Sequence, residues 1–107
     1  MIKIDFTTKS EIIPEYVVDE LGAKRLFDEN GLKHSYNDLP AVVMQNGSKH
    51  WYKHGERHRD NDLPAIVLKD GNKYWYKHDK VHRDNGLPAI VLKDGNKYYW
   101  VNDIFIR

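Results

Sequence analysis

Residues 55–78 read GERHRDNDLPAIVLKDGNKYWYKH, and the fold depends on how this stretch is divided. Ala65-Ile66-Val67-Leu68 is a short apolar run, Asp70-Gly71 follows, and Lys73-Tyr74-Trp75-Tyr76-Lys77 is an aromatic run. β-branched and aromatic side chains fit a pleated surface. Asp-Gly between two such runs is a strong hairpin signal, because a type I′ turn needs positive φ at both central residues. Pro64 stands at the strand start, where its missing N–H does least harm. A two-residue turn sets Leu68 opposite Lys73, Val67 opposite Tyr74, Ile66 opposite Trp75 and Ala65 opposite Tyr76. Side chains alternate between faces. One face then carries Ile66, Leu68, Trp75 and the stems of Lys73 and Lys77. The other carries Ala65, Val67, Tyr74, Tyr76 and His78. The bulkier aliphatic face is the expected core, and the tyrosine face suits a half-wet surface.

The same string recurs on both sides. Residues 31–54 read GLKHSYNDLPAVVMQNGSKHWYKH and residues 79–102 read DKVHRDNGLPAIVLKDGNKYYWVN. His34/His58/His82, Asn37/Asn61/Asn85, Leu39/Leu63/Leu87, Pro40/Pro64/Pro88, Ala41/Ala65/Ala89, Val43/Val67/Val91, Gly47/Gly71/Gly95 and Lys49/Lys73/Lys97 are identical columns. Self-similarity at a fixed period marks a repeat architecture. The period of 24 is even, so successive blocks keep the same faces. In the third block Tyr99 and Trp100 exchange the aromatic order. Gly22-Ala23-Lys24-Arg25-Leu26-Phe27 echoes Gly47-Ser48-Lys49-His50-Trp51-Tyr52, so residues 11–30 read as a degenerate repeat. Residues 1–6 (MIKIDF) read as a separate strand, and 103–107 as a C-terminal cap. Divergent ends around regular centres are characteristic of caps. The links between hairpins are polar and turn-rich, and no segment keeps a helical spacing. The expectation is one all-β domain over 1–107. Its consecutive 24-residue β-hairpin repeats form an antiparallel meander sheet of about eight short strands. Such a sheet cannot bury both faces alone, so either it curls or a partner covers one side.

Composition narrows the function classes. The 107 residues carry 17 Lys+Arg, 16 Asp+Glu and no Cys, for a net charge of +1. Near neutrality gives no overall attraction to nucleic acid or anionic lipid. Without Cys there is neither a disulfide nor a thiolate metal site, which fits a reducing compartment. No apolar run reaches membrane-span length and no secretion signal is legible, so a cytoplasmic location without membrane contact is expected. Aromatics are 12% of a polar chain, with 3 Trp and 7 Tyr.

Trp51-Tyr52-Lys53-His54-Gly55-Glu56-Arg57-His58-Arg59-Asp60-Asn61-Asp62-Leu63-Pro64-Ala65 resembles the MORN-type and MORN-variant hairpin repeats. More closely, it is similar to a repeat of tailed phages and large DNA viruses, Trp-Tyr-x-x-Gly-x-x-His-Arg-x-x-Gly-Pro-Ala. This chain departs in placing Asp62-Leu63 or Gly86-Leu87 before the Pro. The likeness covers residues 31–102. It implies a β-hairpin scaffold and carries over no catalytic residue. It also implies a small phage or viral protein in the host bacterial cytoplasm, binding and blocking a host defence factor such as a CRISPR–Cas component.

His54-x3-His58 and His78-x3-His82 flank short turns, and with Asp60 or Asp84 they have the donor types of a zinc site. Recurrence in every block points instead to a histidine that bonds backbone and packs beside Pro-Ala. No metal and no cofactor is expected. Ser10, Ser35 and Ser48 lie in no nucleophile elbow, and most Asp residues have turn chemistry, so no enzyme is expected. Arg59 and Arg83 share a column with Ser35 and are expected to pair with Asp60 and Asp84, or to form a basic ladder. Lys49, Lys53, Lys73, Lys77 and Lys97 interleave with Trp51, Trp75 and Tyr99, a pattern that can hold single-stranded nucleic acid. Tyr52, Tyr74, Tyr76, Tyr98 and Trp100, joined by His78, Arg59 and Arg83, form the expected partner-binding surface, since Tyr and Trp are enriched at interfaces. The leading expectation is therefore non-enzymatic binding of a host protein. Nucleic-acid binding and self-assembly are the alternatives. Exposed terminal strands favour a homodimer.

Overall fold

Every strand among the described residues is two residues long, so turns and side chains do much of the work that a long ladder does elsewhere. The computed structural model describes residues 13–107. The strand expected at 1–6 lies outside the described residues, as do residues 11 and 12 of the degenerate repeat. The strands are β1 (Val17–Val18), β2 (Lys24–Arg25), β3 (Val42–Val43), β4 (Lys49–His50), β5 (Tyr52–Lys53), β6 (Glu56–Arg57) and β7 (Ile66–Val67). They continue with β8 (Lys73–Tyr74), β9 (Tyr76–Lys77), β10 (Lys80–Val81), β11 (Ile90–Val91), β12 (Lys97–Tyr98), β13 (Trp100–Val101) and β14 (Ile104–Phe105). Eight of them form one antiparallel sheet in the order β1-β2-β3-β4-β7-β8-β11-β12. The fold is an all-β hairpin meander. No helix among the described residues is long and apolar enough to cross a membrane.

Each block supplies a second hairpin where the sequence reads as a polar link. β5 pairs with β6, β9 with β10 and β13 with β14. Their turns are the two-residue left-handed kind: His54 and Gly55 (φ 46 and 87), His78 and Asp79 (49 and 68), Asn102 and Asp103 (49 and 66). Asn37-Asp38, Asn61-Asp62 and Asn85-Gly86 also have positive φ at both residues. Short polar side chains tolerate this region best, which accounts for the Asn column.

The turns at Asn46-Gly47, Asp70-Gly71 and Asp94-Gly95 differ from the sequence expectation. Only the glycines have positive φ there (95, 103 and 94). Leu68 N–H donates to Asn72 O at 2.9 Å and Gly71 N–H to Leu68 O at 3.0 Å. This is a type I turn closed by a left-handed glycine, one residue longer than a type I′ turn. Asp70 Oδ1 accepts from Asn72 N–H at 3.1 Å and fixes it. The extra residue shifts the register by one, so Ile66 faces Tyr74 and Val67 faces Lys73. A one-residue slip moves side chains between faces. The expected pairing of Ile66 with Trp75 is thereby corrected.

Two rows run across the sheet. Val17, Arg25, Val42, His50, Ile66, Tyr74, Ile90 and Tyr98 line one face, and Val18, Lys24, Val43, Lys49, Val67, Lys73, Val91 and Lys97 line the other. Blocks keep their faces, as an even period requires. Beside the Lys–Val row, Ala41, Ala65 and Ala89 are fully buried, next to the buried Trp51 and Trp75. Trp51 N–H donates to Ala65 O and Trp75 N–H to Ala89 O, both at 2.7 Å, so each alanine sits under the preceding block.

Ala65→Leu should therefore overpack the seam and cost about 1–3 kcal/mol. Val67→Leu, on the half-buried row, should cost well under 1 kcal/mol. Urea unfolding of the two variants checks the contrast, and equal midpoints would remove the seam as a packing constraint.

Candidate functional site

The side chains that join the blocks form two recurring clusters. The first is built on the repeat histidine. His34 Nδ1 accepts from His54 N–H at 3.0 Å, His58 Nδ1 from His78 N–H at 3.1 Å, and His82 Nδ1 from Asn102 N–H at 3.0 Å. An acceptor Nδ1 places the ring proton on Nε2. His58 Nε2–H donates to Asp60 Oδ1 at 2.8 Å and His82 Nε2–H to Asp84 Oδ1 at 2.6 Å. Both ring nitrogens of these two histidines are thus engaged. In the first two blocks the turn histidine stacks on the column histidine of the same block: His54 on His34 with ring centroids 4.1 Å apart, His78 on His58 at 4.4 Å. His54 Nδ1–H donates to Asp28 Oδ2 at 2.6 Å, and the Asp28 side chain is only 1% exposed. No group of three or more His, Asp or Glu among the described residues is arranged to hold a metal.

The second cluster joins an aspartate and a tryptophan of one block to an arginine of the next. Trp51 Nε1–H donates to Asp38 O and Trp75 Nε1–H to Asp62 O, each at 2.9 Å. The Arg59 guanidinium lies 3.7 Å from the centre of the Trp51 ring and that of Arg83 lies 4.0 Å from Trp75. Arg59 grips Asp38 through Nε at 2.9 Å and Nη2 at 3.1 Å, and donates from Nη1 to Pro64 O at 3.1 Å. Arg83 repeats this on Asp62 at 2.9 and 3.2 Å and on Pro88 O at 3.1 Å. The expected partners Asp60 and Asp84 are corrected: the arginines take the aspartate of the preceding turn, while Asp60 and Asp84 take imidazole. Bidentate contact with carboxylate and stacking on an aromatic face both suit the planar guanidinium.

These clusters decide what the expected surface residues can offer. Arg59 and Arg83 are largely covered, with side-chain exposures of 14% and 16%. Tyr52 is buried, and Lys33 Nζ lies 4.4 Å from its ring centre. Tyr74, Tyr76 and Trp100 are half-buried, and His78 is exposed beside Glu56 at 3.4 Å. Burial raises the Tyr76 hydroxyl above its ordinary value. Tyr98 is exposed and joins Phe105, while Trp100 meets Phe105 at 5.4 Å. Trp51 and Trp75 are 5% and 9% exposed under their guanidinium lids, so the aromatic platforms of the interleaved-lysine pattern are used internally. Lys53 and Lys77 lie on the second hairpins, whereas Lys49, Lys73 and Lys97 line up with Lys24 on the sheet.

The sequence reading missed the apolar C-terminal end. Val101, Ile104, Phe105 and Ile106 are 42%, 64%, 54% and 55% exposed. It also missed Arg107, which counting by 24 from Arg59 and Arg83 would have placed in their column. Ile106 falls in the histidine column by the same count.

Comparison with protein-family models, with curated proteins and with solved structures finds no match to the chain.

The charge network gives stability a pH dependence. The hydrogen bonds from His54, His58 and His82 hold Asp28, Asp60 and Asp84 below the usual carboxylate range. A carboxylate with a depressed folded-state pKa contributes stability above its unfolded value and loses it as pH falls through the folded value. Burial, aided by the charges of Arg57 and Lys33, lowers His50 below the ordinary 6.5. The unfolded imidazole therefore takes its proton first, and stability drops as pH falls through about 6.5 until the folded group also protonates. The unfolding midpoint measured between pH 8 and pH 5 should fall less in His50→Gln than in the unmodified chain. An identical profile would show that His50 does not contribute.

Proposed function

We propose that this chain is a non-enzymatic protein-binding module that meets its partner at the C-terminal end of the repeat array. The observation that carries this reading is the exposed apolar hairpin β13–β14, in a chain whose other large aromatic side chains are mostly tucked under cations or between blocks. Exposed clusters of this kind mark interaction sites. Tyr98 and Trp100 border the patch through Phe105, and Tyr74 and Tyr76 extend aromatic surface along the array. The two serines among the described residues support a scaffold rather than a nucleophile. Ser35 Oγ accepts from Tyr52 N–H and Ser48 Oγ from Lys69 N–H. The resemblance to phage repeats favours occlusion of a host factor, for which a rigid patterned surface is sufficient.

Val101→Thr with Ile104→Thr keeps β propensity while removing apolar surface. The double variant should capture partner from a bacterial lysate at least tenfold less well, with an unchanged far-ultraviolet circular dichroism spectrum. Equal capture would refute the location. Sedimentation of the purified chain separates a second copy from a foreign partner.

The Lys24–Lys49–Lys73–Lys97 row favours a second reading. Two strand spacings separate neighbouring lysines, about 10 Å, with valines between them. Such a row can follow a polyanion by charge alone. Under this reading single-stranded DNA binds with a strong salt dependence, and Lys49→Gln with Lys73→Gln lowers the salt slope by roughly 1.4. An unaltered slope excludes the row as the contact.

A further inference from the structure

The third block changes two members of the aspartate–tryptophan–arginine cluster together. Gly86 stands in the column of Asp38 and Asp62, and Tyr99 in the column of Trp51 and Trp75. The arginine remains: the Arg107 guanidinium lies 4.3 Å from the centre of the Tyr99 ring, the arrangement of Arg59 and Arg83 on their tryptophans. The backbone beneath it is also kept in part. Ile106 N–H donates to Tyr99 O at 2.8 Å, matching His82 N–H to Trp75 O in the block before, while Tyr99 N–H donates to Arg107 O at 2.9 Å where Trp75 N–H takes Ala89 O. Gly86 has φ 68, close to the 60 and 58 of Asp38 and Asp62. A Cβ built on Gly86 meets no atom within 4 Å. The place that a carboxylate takes twice in this chain is therefore open at its third occurrence. A cleft of about 80 Å³ lies there, and its lining includes Gly86, Tyr99, Ile106 and Arg107, with Arg83, already held by Asp62, also on its wall. Among the described residues Arg107 makes no salt bridge, while Arg59 and Arg83 each hold an aspartate.

We infer that Arg107, stacked on Tyr99 beside Gly86, is a receptor for a carboxylate supplied from outside the chain, and that the donor is an aspartate or glutamate side chain of a protein partner. The chemistry is that of the two internal clusters. A planar guanidinium fixed by an aromatic face presents Nε and Nη2 in a fork that a carboxylate fills with two parallel bonds. The surroundings select a side chain over a free acid. Val101, Ile106 and Leu87 are exposed around the cleft, so apolar residues flanking the acidic one find surface to cover. An acidic residue at the centre of an apolar contact also gives that contact a register, because arginine anchors recur among binding hot spots. This inference rests on the protein-binding reading for its donor, and it places the charged anchor next to the apolar patch.

The test follows the Arg107 Nε–H resonance by NMR at constant ionic strength. The probes are N-acetyl-aspartate N-methylamide, the blocked tripeptide Ac-Leu-Asp-Val-NH2, and inorganic phosphate. Both carboxylate probes should shift the Arg107 signal saturably, the tripeptide with at least threefold higher affinity, and phosphate should shift it no more than chloride does. Gly86→Asp asks the chain to provide its own carboxylate at a φ that Asp38 and Asp62 already adopt. In that variant the Arg107 signal should start near those of Arg59 and Arg83 and respond to aspartate at least tenfold more weakly. Arg107→Gln, which removes that resonance, should leave the backbone amides of Gly86 and Tyr99 unshifted by either carboxylate probe, with the signals of Arg59 and Arg83 in place. No saturable shift in the unmodified chain, or an undiminished one in Gly86→Asp, overturns the site. Equal affinity for N-acetyl-aspartate N-methylamide and the tripeptide overturns the protein donor. A stronger response to phosphate overturns the carboxylate assignment. Because no partner enters these titrations, their failure is distinct from failure of the capture experiment with Val101→Thr and Ile104→Thr.

Discussion

A ring nitrogen that accepts the backbone N–H at the tip of the next short hairpin holds the two halves of each block together. Strands of two residues make few ladder bonds, and the second hairpins lie outside the eight-stranded sheet. Each is tied to its predecessor by the imidazole and by the turn amide. Gly55 N–H donates to Lys33 O, Asp79 N–H to Arg57 O and Asp103 N–H to Val81 O, at 2.8 to 3.0 Å. The imidazole bond requires an unprotonated Nδ1, and the aspartate two residues on secures that tautomer by accepting a hydrogen bond from Nε2–H. This explains why His58-Arg59-Asp60 and His82-Arg83-Asp84 recur as units: histidine positions a hairpin, aspartate sets the tautomer, and the arginine between them reaches the preceding block.

Much of this was legible in the sequence, because the period of 24 is written in the residues. It carries the all-β class, the antiparallel meander and the constancy of faces from block to block. Register was not legible, since Asp-Gly is compatible with two turns that differ by one residue. Which one forms depends on whether Lys69 or Leu68 ends the first strand, and the Asp70 side chain bonding forward to Asn72 N–H favours the longer loop. The second hairpins were hidden because His78-Asp79 and Asn102-Asp103 turn without the usual Asn-Gly signature. Partners across blocks were hidden too. Asp60 is adjacent to Arg59 in sequence, yet the guanidinium bends over Trp51 and finds Asp38, 21 residues away. Tertiary stacking outcompetes proximity along the chain.

The aromatic excess divides into three uses. Trp51 and Trp75 are load under guanidinium lids, each also donating an indole N–H. Tyr52 and Tyr76 lie beside the cations Lys33 and Arg57 on the second hairpins. Among the described residues, Tyr98, Trp100 and Phe105 bring aromatic rings other than imidazoles together, in a region rich in exposed apolar surface. The regular blocks thus spend their aromatics on internal seams, and the last block turns the same residue types outward.

The histidine bonds join residues 20 positions apart within a block, and the arginine and asparagine bonds join residues 21 positions apart in neighbouring blocks. A duplication of 24 residues in this region would preserve every such bond and add one more set. An insertion of any other length would break the set at the point of entry. The chain can therefore change length in whole steps, and its solvent-facing lysine row would lengthen in the same increments. Size and surface charge are coupled by the repeat itself, so variation can scale the array without redesigning it.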